Sequence, residues 1–462
     1  MKEMRKAFTY KVQGYYWMPK YRAGVWNGES PLITPAGTFP YGILPEFLRE
    51  HKKNHPDVEL KIDDDVKNLF KGDDLDIKFD LSLFPHPYQK EAVEYCLKFT
   101  KGIIRSATAS GKSLVISYIV KALLDNREKT KVRRALIIVP SKQLVEQFYT
   151  DMQEYGIKGE YIGRIYDKIK DKPVQWAKTI VITTWQSLKN NTKRLADYDC
   201  IIGDECHQVK AHELKKIFSK SPAKYRLGFT GTMPDDELEI LQTKSFLGPV
   251  LRDYPSGLLG EQGYIAKCNV NFINIDYHGI EAEYYPDVKK ETFENNFRMK
   301  LIKDIVNHLN DNVLLLVGYR REGRQLLNYL ANYTKRDTVF LSGKDDVDFR
   351  EKWRKKMMSK KNIALIATYG IFQQGINIPN LKYLILAAPF KSKIRVLQSI
   401  GRILRAHEEK TEGSFVFDLV DNVKYLRKHG NERFQFYERE GFNIKETDLN
   451  IGNPYDLSLL LS

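Results

Sequence analysis

Two series of short, uniformly apolar runs limit what this chain can fold into. The first lies at residues 102–105, 135–139, 179–183, 200–203 and 226–229. The second lies at 269–275, 313–317, 338–341, 363–367, 383–387 and 415–418. Helical patterns, such as 114–124 and 144–155, alternate with them. A strand that is apolar throughout is buried on both faces, and strands alternating with helices pair in parallel. The expected class is therefore α/β, with two parallel-sheet domains in tandem at 86–258 and 259–462. A hinge is expected at 253–263, where Pro255, Gly257, Gly260 and Gly263 cluster. The longest apolar runs are far shorter than the roughly 18 residues of a membrane-spanning helix. The amino end lacks the apolar stretch of a secretory signal. Cys96, Cys200, Cys206 and Cys268 show no CxxC spacing and read as buried free thiols.

Residues 1–85 are different in kind. The whole chain carries a net charge of +15, but this segment holds 13 basic and 13 acidic residues. The excess therefore belongs to 86–462, where it suits a polyanionic partner. Within the segment, 1–40 is basic and aromatic, 45–53 reads as a short helix, and the Asp-rich stretch 63–80 reads as a solvated connector. We expect a small α+β amino-terminal domain with its linker. At least half of the aromatics among Tyr16, Trp17, Tyr21 and Trp26 are expected inside its core.

The sequence SATASGKS at 106–113 follows a strand and opens a helix, the context of a phosphate-binding loop. Backbone N–H groups of Thr108, Ala109, Ser110 and Gly111 would cradle a nucleotide's phosphates. Lys112 would reach the β- and γ-phosphates, and Ser113 would ligate Mg²⁺. Ala109 stands where glycine is usual, so the loop must differ locally or carry about 1–2 kcal/mol of strain. Downstream, the strand at 200–203 ends in Asp204, Glu205, Cys206 and His207. A Mg²⁺-bound phosphate needs a carboxylate at a strand end, here Asp204. Glu205 can polarise the attacking water.

Asp-Glu-x-His after a phosphate loop resembles the superfamily 2 helicases, and further segments match that family in its order. YQ at 88–89 resembles the motif whose glutamine, Gln89, reads adenine. VPSKQL at 139–144 and TTWQS at 183–187 resemble strand-contacting motifs, implying DNA contacts by Ser141, Gln143, Thr184 and Trp185. TGT at 230–232 resembles the coupling motif. VGYR at 317–320 and Thr368 with GINIP at 375–379 resemble motifs of the second domain. They imply strand contacts by Arg320 and Thr368, and nucleotide contacts by Gly375 and Asn377. QSIGRILR at 398–405 resembles the arginine-finger motif, with Gln398, Arg402 and Arg405 joining Lys112, Asp204, Glu205 and His207 as catalytic groups. The three-residue spacing puts Arg402 and Arg405 on one helical face. The resemblance implies two RecA-like motor domains, with ATP and Mg²⁺ as cofactors.

The amino-terminal pattern GYYW…PKYR…WNG at 14–28 and PYGI at 40–43, with this core, is similar to the UvsW-type phage helicases. That similarity implies a DNA helicase remodelling forks, four-way junctions, displacement loops and R-loops in replication, recombination and repair. It would act as a monomer on DNA in the host cytoplasm, among replication or recombination proteins and without a membrane. Trp17 and Arg22 would lie on a branch-recognising surface, and Trp185 would stack on a base for about 1–3 kcal/mol. The 425–440 stretch, with Arg427, Lys428 and Arg433, is expected to pack its apolar side on the second domain. Three alternatives share these motifs: a duplex translocase, an RNA helicase and an ATP-switched clamp with little hydrolysis.

Overall fold

A computed structural model of the protein describes residues 1–462 apart from 168, 170, 171, 210, 219, 220, 235, 278, 279, 374–377, 390–392 and 458–462. Its contacts form two compact units: residues 1–106 with 111–253, and 107–110 with 254–462.

The first unit opens with β1 (Thr9–Lys11) and β2 (Glu29–Pro31), an antiparallel pair. A seven-stranded sheet follows. Its strands are β3 (Lys101–Ser106), β4 (Ala135–Val139), β5 (Ile162–Ile165), β6 (Ile180–Thr184), β7 (Cys200–Gly203), β8 (Tyr225–Thr230) and β9 (Val250–Tyr254), in the order β5-β6-β4-β7-β8-β3-β9. Central β4, β6 and β7 are buried at every residue, as their largely apolar sequences lead one to expect, with Thr183 and Thr184 the polar exceptions in β6. Parallel pairing brings Val139 of β4 level with Thr184 of β6, so the loops leaving both strands emerge at one sheet edge.

The second unit repeats the plan. Its strands are β10 (Cys268–Asp276), β11 (Val313–Val317), β12 (Asp337–Leu341), β13 (Ile363–Thr368), β14 (Tyr383–Leu386), β15 (Ser414–Asp421) and β16 (Asn443–Asn450). They run in the order β12-β13-β11-β14-β15-β10-β16, with every pairing parallel. Two buried ion pairs stand along β15. Arg298 Nε binds Asp421 Oδ1 at 2.9 Å, and its Nη1 donates to the Ala387 carbonyl at 2.5 Å. Arg433 binds both oxygens of Asp418 at 2.7 and 2.8 Å, and Tyr437 donates to Asp418 at 2.8 Å. The helix Leu426–Glu440 does lay Leu426, Phe436 and Tyr437 inward, but Arg433 goes with them and is not part of a basic outer face.

The amino-terminal segment packs on the first unit. Met4, Phe8, Ile33, Ile43 and Phe47 form a small core with Leu241, which the helix Glu237–Leu247 supplies. Tyr41 Oη donates to the Phe246 carbonyl at 2.7 Å, and Lys244 pairs with Glu46 at 2.7 Å. A Cβ at Gly42 would sit 1.7 Å from the Lys244 carbonyl oxygen, so only glycine permits this approach.

Two expectations for this segment fail. None of Tyr16, Trp17, Tyr21 and Trp26 is buried, and Trp17 is 68% exposed. Aliphatic residues and Phe8 and Phe47 fill the core without them. Nor is 63–80 simply a solvated connector. Thr100 N donates to the Phe70 carbonyl at 3.0 Å, Gly72 N donates to the Lys98 carbonyl at 2.8 Å, and Asp73 pairs with Lys224 at 2.6 Å. The backbone there is bound to the end of the helix Pro87–Lys98 and to β3's entry, and one of its aspartates is bound to an opposite charge.

Candidate active site

The site grows from the carboxyl ends of β3, β7 and β8. Beyond β3, Ala109 has φ 69° and Gly111 has φ 73° before the helix Lys112–Asp125 begins. Ala109 thus keeps the loop's left-handed geometry and carries the strain instead of reshaping the turn. A Cβ at Gly111 would also lie 2.5 Å from Gln89 Nε2, so that side chain would have to shift. Gln89 is held against the loop because its Oε1 accepts the His86 N–H at 2.8 Å, which caps the helix Pro87–Lys98.

Lys112 Nζ donates to the Ser106 carbonyl at 3.2 Å and stands 3.8 Å from Glu205 Oε1. Asp204 continues from β7, with its N–H bound to the Ile138 carbonyl at 2.8 Å. Glu205 takes a left-handed φ of 46°, a strained conformation for a non-glycine residue. That turn brings His207 back under it. His207 Nδ1 lies 3.3 Å from Glu205 Oε2 and 2.5 Å from Thr230 Oγ1 at the end of β8. The single Thr230 hydroxyl proton goes to the Thr232 carbonyl at 2.6 Å. Thr230 must therefore accept from His207, which fixes the proton on Nδ1. Burial lowers the His207 pKa from its usual 6.5, so the ring is neutral at pH 7. Lys112, Glu205, His207, Thr230 and Thr232 are thus joined in one chain of contacts.

Asp204 shows what the site lacks in charge. Burial, then the neighbouring Glu205 charge, pushes its pKa up to about 7 against the opposing pull of Lys112. Its Oδ1 is buried and has no hydrogen-bond partner among the described residues. A buried carboxylate oxygen of this kind fits a cation. Among the described residues no group of three or more His, Cys, Asp and Glu side chains is arranged to hold a metal ion by itself. That donor set suits Mg²⁺, which takes one or two protein oxygens and completes its shell with phosphate and water. Asp204 and Ser113 would hold it, and it would neutralise charge on a bound triphosphate. The Ser113 hydroxyl is 3.0 Å from Tyr155 Oη, a partner that no motif spacing announced.

Of the strand-contact candidates, Ser141 caps the helix Lys142–Glu154, accepting from Leu144 N at 3.4 Å, and Gln143 beside it is exposed. Thr184 is buried and caps the helix Trp185–Lys189. Trp185 is corrected: its ring is buried in the first unit's core, over Gly203, where an added Cβ would meet it at 3.1 Å. Only 6% of the residue is exposed. In the second unit, Arg320 opens the helix Arg320–Tyr333 and Thr368 ends β13, and the pairing of Val317 with Thr368 sets both at one sheet edge. Gln398 and Arg402 share a face of the helix Lys393–Ile403, four residues apart. Arg405 does not, because the helix ends at Ile403. The Ile403 carbonyl is taken by Lys410 Nζ at 2.6 Å and Ser414 Oγ at 2.7 Å. Gly375 and Asn377 lie outside the described residues.

Comparison with known proteins agrees with this arrangement. The family of type III restriction enzyme res subunits matches residues 82–235, and the helicase conserved C-terminal domain matches 298–407. The chain is 27% identical to the ATP-dependent DNA helicase UvsW of Enterobacteria phage T4, over 97% of this chain and 95% of that one. This chain is a superfamily 2 helicase. The helicase is also 23% identical to the DNA 3'-5' translocase XPB2 of Sulfurisphaera tokodaii, over 80% of its own length and 89% of that protein. Its fold matches that of the ATP-dependent Type ISP restriction-modification enzyme LlaBIII bound to DNA, with a TM-score of 0.59 at 13% identity, over 83% of this chain and 32% of that one. The helicase hydrolyses ATP, and none of its described helices is long and apolar enough to cross a membrane.

Proposed function

We propose that this helicase acts on branched DNA, regressing forks, migrating four-way junctions and clearing displacement loops and R-loops in phage replication, recombination and repair. The observation that carries this reading is the surface of the amino-terminal segment. Tyr16, Trp17, Tyr21 and Arg22 are all exposed, and the Arg22 guanidinium lies 5.1 Å over the Trp17 ring. Lys11 lies 5.2 Å over Tyr15. Exposed aromatics interleaved with cations suit unstacked bases and phosphates at a junction. The coverage of the T4 helicase, 97% of this chain, takes in this segment.

In this reading Gln89 and the 106–113 loop bind ATP, with Mg²⁺ held by Asp204 and Ser113. Glu205 orients the attacking water, and Arg402 and Arg405 stabilise the transferring phosphoryl group. Ser141, Gln143, Thr184, Arg320 and Thr368 grip backbone phosphates, which makes binding tolerant of sequence and sensitive to salt. The enzyme works as a monomer on DNA in the host cytoplasm. ATP turnover and unwinding are to be measured on forks, four-way junctions, blunt duplex and RNA, with Lys112→Ala as control. Preference for forks and junctions is expected, and it should weaken on Trp17→Ala while ATP turnover without DNA persists. Equal activity on blunt duplex would move the enzyme to the translocases, and greater stimulation by RNA would overturn the substrate class.

A further inference from the structure

We infer that Tyr155 is a positioning residue for the metal-binding hydroxyl of Ser113. The two hydroxyl oxygens are 3.0 Å apart, although 42 residues separate them in sequence. Ser113 is the second residue of the helix Lys112–Asp125, and Tyr155 caps the far end of the helix Lys142–Glu154. A serine hydroxyl that gives a lone pair to a cation must turn its proton away from that cation, towards an acceptor. Tyr155 Oη is such an acceptor, and it selects the Ser113 rotamer that leaves a lone pair for the metal.

The geometry is held from both sides. Tyr155 N–H donates to the Asp151 carbonyl at 2.9 Å, and its own carbonyl accepts from Ser82 N at 3.0 Å. Gly156 then turns away at φ 98°, where a Cβ would lie 3.1 Å from Ser82 Oγ. On the other side, the Ser113 carbonyl accepts from Ser117 Oγ at 2.7 Å. Tyr155 is half-buried, and phenylalanine retains its ring while removing the hydroxyl. The hydroxyl is therefore separable from the fold.

The inference rests on the reading of Ser113 as a metal ligand, and the test separates the two. A fluorescent ADP analogue is bound to full-length wild type, Tyr155→Phe and Ser113→Ala, first in EDTA and then with Mg²⁺ titrated. Tyr155→Phe is expected to raise the half-saturating Mg²⁺ concentration by about 10-fold, the lower end for loss of a group that orients a metal ligand. Its ADP affinity in EDTA and its melting temperature should match wild type. If Ser113→Ala raises the Mg²⁺ requirement and Tyr155→Phe does not, Tyr155 has no positioning role. If neither substitution changes it, Ser113 is not the metal ligand and both assignments fall. A loss of ADP affinity in EDTA by Tyr155→Phe would make the residue a structural support of the loop and overturn the inference equally.

Discussion

The two seven-stranded sheets carry buried charge in opposite ways. Along β15, each buried charge meets its complement: Arg298 with Asp421, Arg433 with Asp418. At the end of β7, Asp204 and Glu205 stand side by side with one lysine, Lys112, 3.8 Å from Glu205 and lowering the Asp204 pKa only in part. The first arrangement fixes a shape, because every desolvated group is satisfied within the chain. The second leaves a carboxylate whose balance must come from something that binds. Burial alone does not identify a functional charge; the missing partner does.

That contrast can be broken from either side. The largest effect is expected from Asp418→Ala, which leaves Arg433 buried without its anion. Removal of one partner from a buried pair costs about 3–5 kcal/mol. Denaturant unfolding of the helicase should show a loss of that size, and a loss below 1 kcal/mol would mean that Arg433 finds another partner. Next comes Lys112→Ala, which should reduce ATP turnover by about 10²–10³-fold, the range for loss of one electrostatic donor, with unfolding unchanged. Turnover like wild type would remove the phosphate-loop assignment.

Asp204→Asn should act in the reverse sense to Asp418→Ala. The Asp204 pKa is about 7 in the folded protein, above its ordinary value of 3.8. The folded state therefore holds this proton more tightly than the unfolded chain does. Stability is fully present below about pH 4 and falls as pH rises towards 7, after which the loss is constant. Without nucleotide, the asparagine variant should be more stable than wild type at pH 8, by on the order of 1–3 kcal/mol. The advantage should fade as pH falls towards 4. An advantage independent of pH would mean that the carboxylate's charge is not the cause.

What was legible in the sequence follows the same line between satisfied and unsatisfied groups. Strands buried on both faces, such as β4 and β11, declare themselves by uninterrupted apolar residues. The edge strand β16, with the sequence NIKETDLN, buries only Leu449 and gave no such signal. Lys112, Asp204 and Glu205 could be read from phosphate chemistry, and His207 from the resemblance of Asp-Glu-x-His to the helicase motif. Trp185 was not, since a tryptophan suits a base or a core equally well and Gly203 beneath it decides the matter. Arg405 left its expected helix face because a lysine and a serine downstream capture the Ile403 carbonyl, and no local spacing records that. Tyr155 is the extreme case, meeting Ser113 only through the packing of two helices.

The smallest expected effect tests whether the site is strained as well as under-balanced. Ala109 sits at φ 69°, which costs an L-residue with a Cβ about 1–2 kcal/mol that glycine does not pay. Glycine also loosens the unfolded chain, which costs about 0.4–1 kcal/mol in return. The difference leaves Ala109→Gly more stable by up to about 1.6 kcal/mol, to be read by denaturant unfolding without nucleotide. The same substitution at Ala122, inside the helix Lys112–Asp125, lacks the strain term and should destabilise by about 1 kcal/mol. Opposite signs at the two alanines would locate strain in the phosphate loop, where it helps to hold the backbone open for a ligand. Destabilisation at both would mean that the loop relaxes around Ala109 at no cost, leaving the Glu205 backbone and the charge imbalance at Asp204 as the stresses of the site.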